Sequence, residues 1–400
     1  MLKQRELGSE RNSAARPSTA REPESRYAPG LEGVVAAQTR LSDVDGQAGR
    51  LTIAGFPLEE IAGRASFEEM VYLLWEDRLP NVEQLEEFRQ LLARERDLSP
   101  ATLELLRAAA ESRLPAMDAL RMAAGCLNLV TTRRVGDWRR EGAVLLGQIP
   151  SMITAYWHLF HGAKPVAPRA DLSHAANYLY MLRGEPPLEA QTRALETYLN
   201  TVVDHGLNAS TFTARVITST GSDTVAAIVG AIGALNGPLH GGAPGPALDM
   251  VFEIGEADRA QAYLRAKLDR KERLMGFGHR VYRVRDPRAD VLARAAESLY
   301  REAGDMTLYN LAKEVEQTAL ALLKEYQPGR DLQTNVEFYT ALLLHGLGLP
   351  VDLFTPTFTM GRAAGWIAHC AEQRAHNRLI RPQSEYIGSM DRRWQPLDER

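Results

Sequence analysis

One segment, residues 223–235, constrains the fold more than any other part of the chain. After Asp223 it reads TVAAIVGAIGAL, so apolar residues cover almost the whole circumference of a helix. A helix of this kind is buried in a large protein or crosses a membrane. A membrane span needs roughly 20 apolar residues, and no apolar run in the chain reaches that length. The segment therefore predicts a fully buried helix inside a large helical protein.

Helical signals dominate the chain after Phe56. Ser66-Phe67-Glu68-Glu69 is a capping box, and Ser99-Pro100 is typical of a helix start. Apolar periodicity predicts further helices over 82–96, 117–131, 141–160, 191–204, 257–268, 287–302, 309–326, 334–347 and 356–373. Glycines and alternating Val34, Ala36 and Leu51, Ile53 predict short strands or turns within 27–56. We expect an all-α protein with minor β structure near its N-terminus, and no solenoid, because no repeat is present.

Composition limits the classes of partner and the compartment. The net charge of −4 argues against a nucleic-acid surface, although 41 of the 47 basic residues are arginine. Arginine suits carboxylate and phosphate recognition, but a GC-rich genome would give the same bias. Cys126 and Cys370 lie far apart, which fits a reducing compartment without disulfides. We therefore expect a cytoplasmic protein with no membrane anchor, preceded by a polar, disordered tail at residues 1–26.

The segment 274–290, LMGFGHRVYRVRDPRAD, places a histidine and several charged side chains at a predicted turn of the backbone. Gly276 and Gly278 allow a sharp turn beside His279. Asp286-Pro287 is typical of a helix start, which places Arg288 in the first turn, where anions bind. On spacing alone, a loop histidine and a surface arginine are an equally good interpretation.

These motifs resemble those of the citrate synthase family. The pattern GFGHRVYxxxDPRA resembles the family signature. Two further segments resemble motifs of the same family: GPLHGG at 237–242, and the run from NVEFY at 335–339 through GWIAH at 365–369. The resemblance covers about residue 27 to the C-terminus. It implies a two-domain helical fold, with a large domain formed by 27–241 and 349–400. A smaller domain is inserted at 242–348, with the active site between the two.

The resemblance implies condensation of acetyl-CoA with oxaloacetate and hydrolysis of citryl-CoA to citrate and CoA, with no metal or tightly bound cofactor. His240 matches the histidine that hydrogen-bonds the thioester oxygen. His279 matches the one that polarises the oxaloacetate carbonyl. His205, in the segment Asp-His-x-x-Asn-x-Ser, matches an oxaloacetate ligand.

Three arginines match positions that hold carboxylates in the family. Guanidinium groups bind carboxylates through two parallel hydrogen bonds, which suits a dicarboxylate substrate. Arg288 matches the DPRA arginine, and Arg362 the arginine shortly before Gly365-Trp366. Arg381 matches an arginine that reaches into the partner subunit's site, which implies a homodimer.

Glu337 departs from the family pattern at the base position. The family usually has aspartate there, which takes a proton from the acetyl methyl group, whereas glutamate is one methylene longer. Thr334-x-x-Glu337 also fits a capping box, so the carboxylate could cap the next helix instead. The two interpretations are compatible, because a helix N-terminus favours the ionised form that a base needs.

Coenzyme A contacts are predicted in the loop before His279. The resemblance points to backbone contacts with adenine from Glu272, Arg273, Leu274, Met275 and Gly276. Arg273 and Lys313 are candidate phosphate partners, although surface charge explains both equally well.

Two further departures leave the acyl group open. Many relatives follow HGG with Ala-Asn-Glu, whereas this chain has Ala243 followed by Pro-Gly-Pro, and Gly206 replaces a common glutamate. A propionyl-CoA enzyme that makes 2-methylcitrate is the nearest alternative. A catalytically weak homologue that binds CoA or dicarboxylates is the other, and Glu337 is its main support.

Overall fold

The computed structural model describes residues 27–131, 137–241, 244–279, 281–282 and 284–400. The tail predicted to be disordered lies outside these residues. Regular structure is predominantly helical, which confirms the all-α prediction. The helices are α1 Leu58–Ile61, α2 Phe67–Glu76, α3 Val82–Ala93, α4 Pro100–Glu111, α5 Ala116–Gly125, α6 Asn128–Thr131, α7 Trp138–Phe160, α8 His174–Arg183, α9 Glu189–Val202, α10 Ala209–Ser219, α11 Thr224–Leu235, α12 Pro244–Ile254, α13 Ala260–Asp269, α14 Pro287–Ala303, α15 Thr307–Tyr326, α16 Val336–Gly346 and α17 Phe354–Ala375.

A small antiparallel sheet precedes the helices. Strands β1 (Ser42–Asp45), β2 (Arg50–Ile53) and β3 (Phe56–Pro57) pair in the order β1-β2-β3. Leu51 and Ile53 are buried, as their alternation predicts. Val34 and Ala36 lie outside the strands and are exposed, so that part of the prediction is wrong. Apolar alternation produces no strand where the segment has neither a partner strand nor a core to face.

Local capping signals are confirmed where the sequence predicts them. Ser66 and Glu69 form a reciprocal capping box at the start of α2, and Ser99 caps α4. Asp286 caps α14 by accepting a hydrogen bond of 3.0 Å from the amide of Arg288. Each of these signals acts within one helical turn, so neighbouring residues suffice to determine it.

Some helices differ from the prediction. The helix expected over 117–131 breaks after Gly125, which disfavours helix, and continues as the separate α6. The sequence analysis missed α1, α8, α10 and α12. Of these, α10 had a visible start signal, because Asn208 accepts a hydrogen bond of 3.1 Å from the amide of Thr211.

Helix α17 is the central element of the helical core. It is buried along most of its length and contacts α7, α9, α10 and α11. Its inward-facing side chains include Arg362, Trp366 and His369, which are 2%, 0% and 0% exposed. A buried guanidinium and imidazole in a helix core require polar partners. These are the Val202 carbonyl at the end of α9 for Arg362, and Asp204 in the next loop and Arg215 on α10 for His369.

The prediction that α11 is fully buried is wrong on one side. Val225, Ile228 and Ile232 are buried, but Ala226, Val229, Gly230, Gly233 and Ala234 are only partly buried. The pattern of the sequence reports that every side of the helix is apolar. It does not report that the chain itself covers every side.

The chain divides into two compact units. One comprises Thr39–Ile380 and contains the sheet and helices α1 to α17. The other consists of the chain ends, 1–38 and 381–400; its described residues are mostly irregular, with short 3-10 turns at Pro29–Leu31 and Leu397–Glu399. The predicted small domain at 242–348 stays a prediction. Among the described residues, no helix alone is long and apolar enough to cross a membrane; α16 and the adjoining segment Val351–Ala375 satisfy that test only as a pair bent by 119°.

Candidate active site

The loop that carries His279 is held against the segment before α16. Gly276 and Gly278 have φ angles of 87° and 80°, a left-handed conformation that favours glycine. The amide of Gly278 donates to the Gln333 carbonyl at 2.7 Å, and the amide of Asn335 donates to the Gly276 carbonyl at 2.9 Å. These bonds bring two motifs that are far apart in sequence, GFGH and NVEFY, into direct contact.

His279 is oriented by the backbone that follows it. Its Nδ1 accepts hydrogen bonds from the amides of Val281 at 3.0 Å and Tyr282 at 3.1 Å. Burial, assisted by the charge of Arg288, lowers the pKa of His279 to about 4. The ring is therefore neutral near pH 7. The two amide donors at Nδ1 are closer than Arg288 Nη2, which lies 3.2 Å from Nε2, and favour the tautomer with the proton on Nε2; that tautomer suits a donor to a carbonyl oxygen.

Arg288 lies beside His279, in the first turn of α14. Its Nε and Nη2 donate to the two oxygens of Asp286 at 3.0 and 2.8 Å, and its Nη2 lies 3.2 Å from His279 Nε2. Arg288 is 5% exposed and Asp286 is 1% exposed. Because Asp286 holds one edge of the guanidinium, the orientation of the remaining N–H groups is constrained.

His205 joins the same cluster from the loop between α9 and α10. Its Nε2 lies 3.1 Å from the Tyr282 hydroxyl, and its ring centre is 5.9 Å from that of His279. Burial lowers the pKa of His205 well below its usual value, and the charges of Arg288 and Arg362 lower it further. His205 is therefore a second neutral imidazole in a pocket of positive potential.

Arg362 is a buried cation with an unused fork. Its Nε donates to the Val202 carbonyl at 2.5 Å, and its guanidinium lies 4.8 Å from the centre of the Phe358 ring. Its two terminal nitrogens make no hydrogen bond to any other described residue. Burial lowers the pKa of Arg362 to about 10, so it stays charged at neutral pH. The nearby charge of Asp204 acts on Arg362, but Asp204 is hydrogen-bonded to His369 and Ser42 instead. A buried guanidinium with free terminal N–H groups indicates an anionic ligand at this position.

His240 follows α11 and is held by two residues that the sequence analysis did not single out. Its Nε2 lies 2.8 Å from Ser210 Oγ, which also accepts a hydrogen bond of 3.1 Å from Trp366 Nε1. Burial lowers the pKa of His240 to about 4, with a contribution from Arg362. Ser210 and Trp366 both lie within quoted motifs, so the signal for them was present.

Glu337 does not cap α16. The N-cap is Asn335, whose Oδ1 accepts from the Glu337 amide at 3.0 Å, while the Thr334 hydroxyl donates to Glu316 at 2.7 Å. The capping-box alternative is therefore wrong, because the hydroxyl it requires is bound elsewhere. Among the described residues, the Glu337 carboxylate has no hydrogen bond or ion pair. Burial raises its pKa to about 7, against the opposing charge of Arg288.

Glu316 anchors the segment in front of Glu337. It accepts hydrogen bonds from Arg285, Lys313, Thr334 and Tyr339 at 2.9, 2.8, 2.7 and 2.5 Å. Burial acts to raise the pKa of Glu316, but these donors outweigh it and lower the pKa to about 2. The sequence does not single out this glutamate in the middle of α15, because three of its four partners, Arg285, Thr334 and Tyr339, lie outside that helix.

The residues predicted to contact CoA are placed as follows. Leu274 is buried, and Met275 is half-buried. Glu272 and Arg273 are exposed, and Glu272 pairs with Arg270 at 2.6 Å. Lys313 donates to Glu316 and to the Tyr339 hydroxyl at 3.0 Å. Arg381 belongs to the unit formed by the chain ends. The roles of these residues stay predictions.

The structure brings the predicted catalytic histidines, Glu337 and two of the predicted arginines into one site. The charge of Arg362 lowers the pKa values of both His205 and His240, and that of Arg288 acts on His205, His279 and Glu337. Within the part of the chain that the structure describes, no group of three His, Cys, Asp or Glu side chains could hold a metal ion. The site thus combines buried cations, neutral imidazoles and a free carboxylate of raised pKa.

Comparisons with known proteins agree with this arrangement. The family model for the citrate synthase C-terminal domain matches residues 30–383. Citrate synthase of Haloferax volcanii is 41% identical, over 93% of this chain and 98% of the relative. 2-Methylcitrate synthase of Shewanella oneidensis is 36% identical, over 93% and 97%.

A solved structure shows the same fold with ligands bound. It is the ternary complex of carboxymethyl coenzyme A and oxaloacetate with citrate synthase from Thermoplasma acidophilum. Its TM-score is 0.83 at 28% identity, and the match covers 93% of this chain and 99% of the other. Sequence, fold and site together show that this chain belongs to the citrate synthase family and is a transferase that acts on acyl groups.

Proposed function

We propose that this site condenses acetyl-CoA with oxaloacetate and hydrolyses the resulting citryl-CoA to citrate and CoA. The observation that carries the proposal is the free carboxylate of Glu337 in a pocket that also holds the unpaired fork of Arg362. A base of raised pKa and a site for an anion are the two requirements of this reaction. The Thermoplasma acidophilum complex, with oxaloacetate and a CoA analogue bound, supports the choice of substrates.

Oxaloacetate binding follows from the charges in the pocket. Arg288 and Arg362 would each bind a carboxylate, and His205 would donate a further hydrogen bond. This arrangement sets the keto oxygen against Nε2–H of His279, whose tautomer is determined by the amides of Val281 and Tyr282. A neutral donor polarises the carbonyl without losing its proton to solvent before the reaction.

The bond-forming step uses Glu337 and His240. Glu337 removes a proton from the acetyl methyl group, and His240 donates a hydrogen bond to the thioester oxygen, where negative charge develops. The single hydroxyl proton of Ser210 has two acceptors within reach, Asn208 Oδ1 and His240 Nε2, each at 2.8 Å. When it is donated to His240 Nε2, the ring proton is left on Nδ1 for the thioester oxygen. The methyl carbon then attacks the keto carbon and the π bond of the carbonyl breaks. Its oxygen, hydrogen-bonded to His279, takes up a proton to become the hydroxyl of citryl-CoA, and Glu337 releases the methyl proton to solvent.

Hydrolysis completes the reaction. Water adds to the thioester carbonyl of citryl-CoA, the carbon–sulfur bond breaks, and CoA leaves as the thiol after it takes up a proton. Closure of the two predicted domains would exclude water until condensation is complete.

The pH profile should report the ionisation of Glu337. Because burial raises its pKa to about 7, the fraction able to accept a proton falls as the pH drops below 7. His240 and His279, with pKa values of about 4, stay neutral across that range. We expect kcat/KM for acetyl-CoA, at saturating oxaloacetate, to rise with pH through a midpoint near or above 7. A profile that is flat between pH 6 and 8 would contradict this expectation.

The acyl group is the open part of the proposal. The chain is similar to citrate synthases and also to the 2-methylcitrate synthase of Shewanella oneidensis. A steady-state comparison of acetyl-CoA and propionyl-CoA at fixed oxaloacetate decides between them. We expect the higher kcat/KM with acetyl-CoA, and a clear preference for propionyl-CoA would establish the alternative.

A dimer would cover apolar surface that the single chain leaves open. The partly buried side of α11 consists of small and apolar residues, and five large apolar side chains of the C-terminal segment are exposed: Tyr386, Ile387, Met390, Trp394 and Leu397. We infer a twofold homodimer in which Arg381 serves the neighbouring site.

Subunit mixing tests this sharing of Arg381. Arg381→Ala and Glu337→Gln subunits should each be weakly active alone, and mixing them should restore part of the turnover. In each mixed dimer, one site carries both lesions and the other carries neither. Exchange of subunits, verified by native mass spectrometry, without any recovery of turnover would refute the shared arginine.

A further inference from the structure

The tip of the β1–β2 hairpin lies against the backbone that orients His279. An ideal Cβ at Gly46 would lie 2.4 Å from the Val281 carbonyl oxygen, and one at Gly49 would lie 2.6 Å from Val284 Cγ2. Real Cβ contacts are never this short, so Gly46 permits an approach that no side chain would allow. Val281 is also the residue whose amide binds His279 Nδ1 at 3.0 Å. A displacement of Val281 would therefore displace the imidazole.

The first residues of the same hairpin hold the loop of His205. Ser42 Oγ accepts a hydrogen bond of 2.8 Å from the Gly206 amide and donates one of 2.5 Å to Asp204 Oδ2. Asp204 and Gly206 are the two neighbours of His205 in the chain. A Cβ added at Gly206 would lie 3.4 Å from Val44 Cγ2, so the hairpin also packs closely against this loop.

The hairpin is a rigid connection between these two contacts. Asp45 Oδ1 accepts from the amides of Gln47 and Ala48 at 3.1 and 2.9 Å, which closes the turn. Leu51 and Ile53 anchor β2 in the core at 1% and 0% exposure. A closed turn on an anchored strand pair transmits position from one end to the other.

We propose that the β1–β2 hairpin is a positioning element that sets the spacing of His205 and His279 for a dicarboxylate. Ser42 is the positioning residue for His205, and Gly46 is the positioning residue for His279. The inference rests on the proposed function, because it assumes that both imidazoles contact oxaloacetate. It adds that part of the specificity for this substrate resides in a segment more than 150 residues before the motif of either histidine.

Gly46→Ala is the direct test, made in the full-length protein. Relieving a contact of 2.4 Å requires a shift of about 1 Å, and a shift of that size can change a rate or affinity by roughly 10- to 100-fold. We expect the Kd of oxaloacetate, measured by titration calorimetry, and its KM to rise by at least 10-fold. The KM of acetyl-CoA should change little.

Matched variants separate positioning from general damage. Gly63→Ala places a methyl group where no atom lies within 4 Å, and Asp43→Asn changes an exposed residue of β1; both should leave oxaloacetate binding unchanged. Ser42→Ala removes the hydroxyl that holds the His205 loop and should weaken oxaloacetate binding even if Gly46→Ala fails to fold.

The outcomes distinguish this inference from the proposed function. If the wild type turns over, but the Ser42→Ala and folded Gly46→Ala variants both bind oxaloacetate with normal Kd, the role of the hairpin is overturned and the proposed function is not. Wild-type protein that neither binds oxaloacetate nor turns over with either acyl-CoA would overturn both. If the variants have a lower kcat and a lower Tm but an unchanged oxaloacetate Kd, the hairpin has a merely structural role, and this outcome also refutes the proposal.

Discussion

Glu337→Gln is expected to lower kcat by roughly 100-fold or more, because glutamine has the shape of glutamate but cannot accept the methyl proton. The structure removes the competing explanation, since Asn335 and not Glu337 caps α16. The measurement is steady-state turnover with saturating oxaloacetate and acetyl-CoA. Glu314→Gln, at an exposed position on α15, is the matched control and should keep full turnover. Near-normal turnover by Glu337→Gln would refute the assignment of the base.

The same substitution should not destabilise the protein at alkaline pH. Burial raises the pKa of Glu337 from 4.5 to about 7, so the folded state binds its proton more tightly than the unfolded state does. The resulting stabilisation is complete below pH 4.5 and is lost as the pH rises through 7. At pH 8 the wild type buries a carboxylate that the Gln variant lacks. We therefore expect the Tm of Glu337→Gln at pH 8 to equal or exceed that of the wild type.

The Glu337→Asp variant tests whether the geometry of the site requires the longer glutamate side chain. Aspartate is the common residue of the family, but on this backbone its carboxylate would retreat by about 1 Å from the methyl group. We expect the Asp variant to be slower than the wild type while its oxaloacetate KM stays similar. Faster turnover by the Asp variant would instead support the view that the chain is a weakened homologue.

Arg288→Lys is expected to weaken oxaloacetate binding by roughly 10- to 100-fold. Lysine keeps the charge but loses the planar fork that bridges Asp286 and the substrate. Loss of one hydrogen bond to a charged group costs about 1.5–3 kcal/mol, which corresponds to that range. Titration calorimetry with oxaloacetate measures the effect. The exposed Arg294→Lys, on the same helix, should bind normally.

The fold should survive Arg288→Lys, because Asp286 caps α14 through the backbone amide of residue 288 and not through its side chain. The Tm should nevertheless fall, because lysine replaces the two buried hydrogen bonds to Asp286 by at most one. Oxaloacetate binding of wild-type strength in the Lys variant would reject the role of Arg288.

Local features were determined by the sequence alone. The capping box of Ser66 and Glu69 and the start of α14 at Asp286 each depend on residues within one turn. The glycines around His279 likewise predicted a turn that the structure contains. Family motifs pointed to His205, His240, His279 and the arginines, but they said nothing about protonation states.

Only the tertiary structure decided the properties that depend on distant segments. Thr334 and Glu337 have the spacing of a capping box, yet the Thr334 hydroxyl binds Glu316 on another helix. The apolar sequence of α11 could not show that one of its sides lacks cover within the chain. The hairpin contact at Gly46 carries no motif at all. Hydrogen-bond competition, desolvation and close approach are set by whichever groups the fold brings together, and residues far apart in sequence supply most of them.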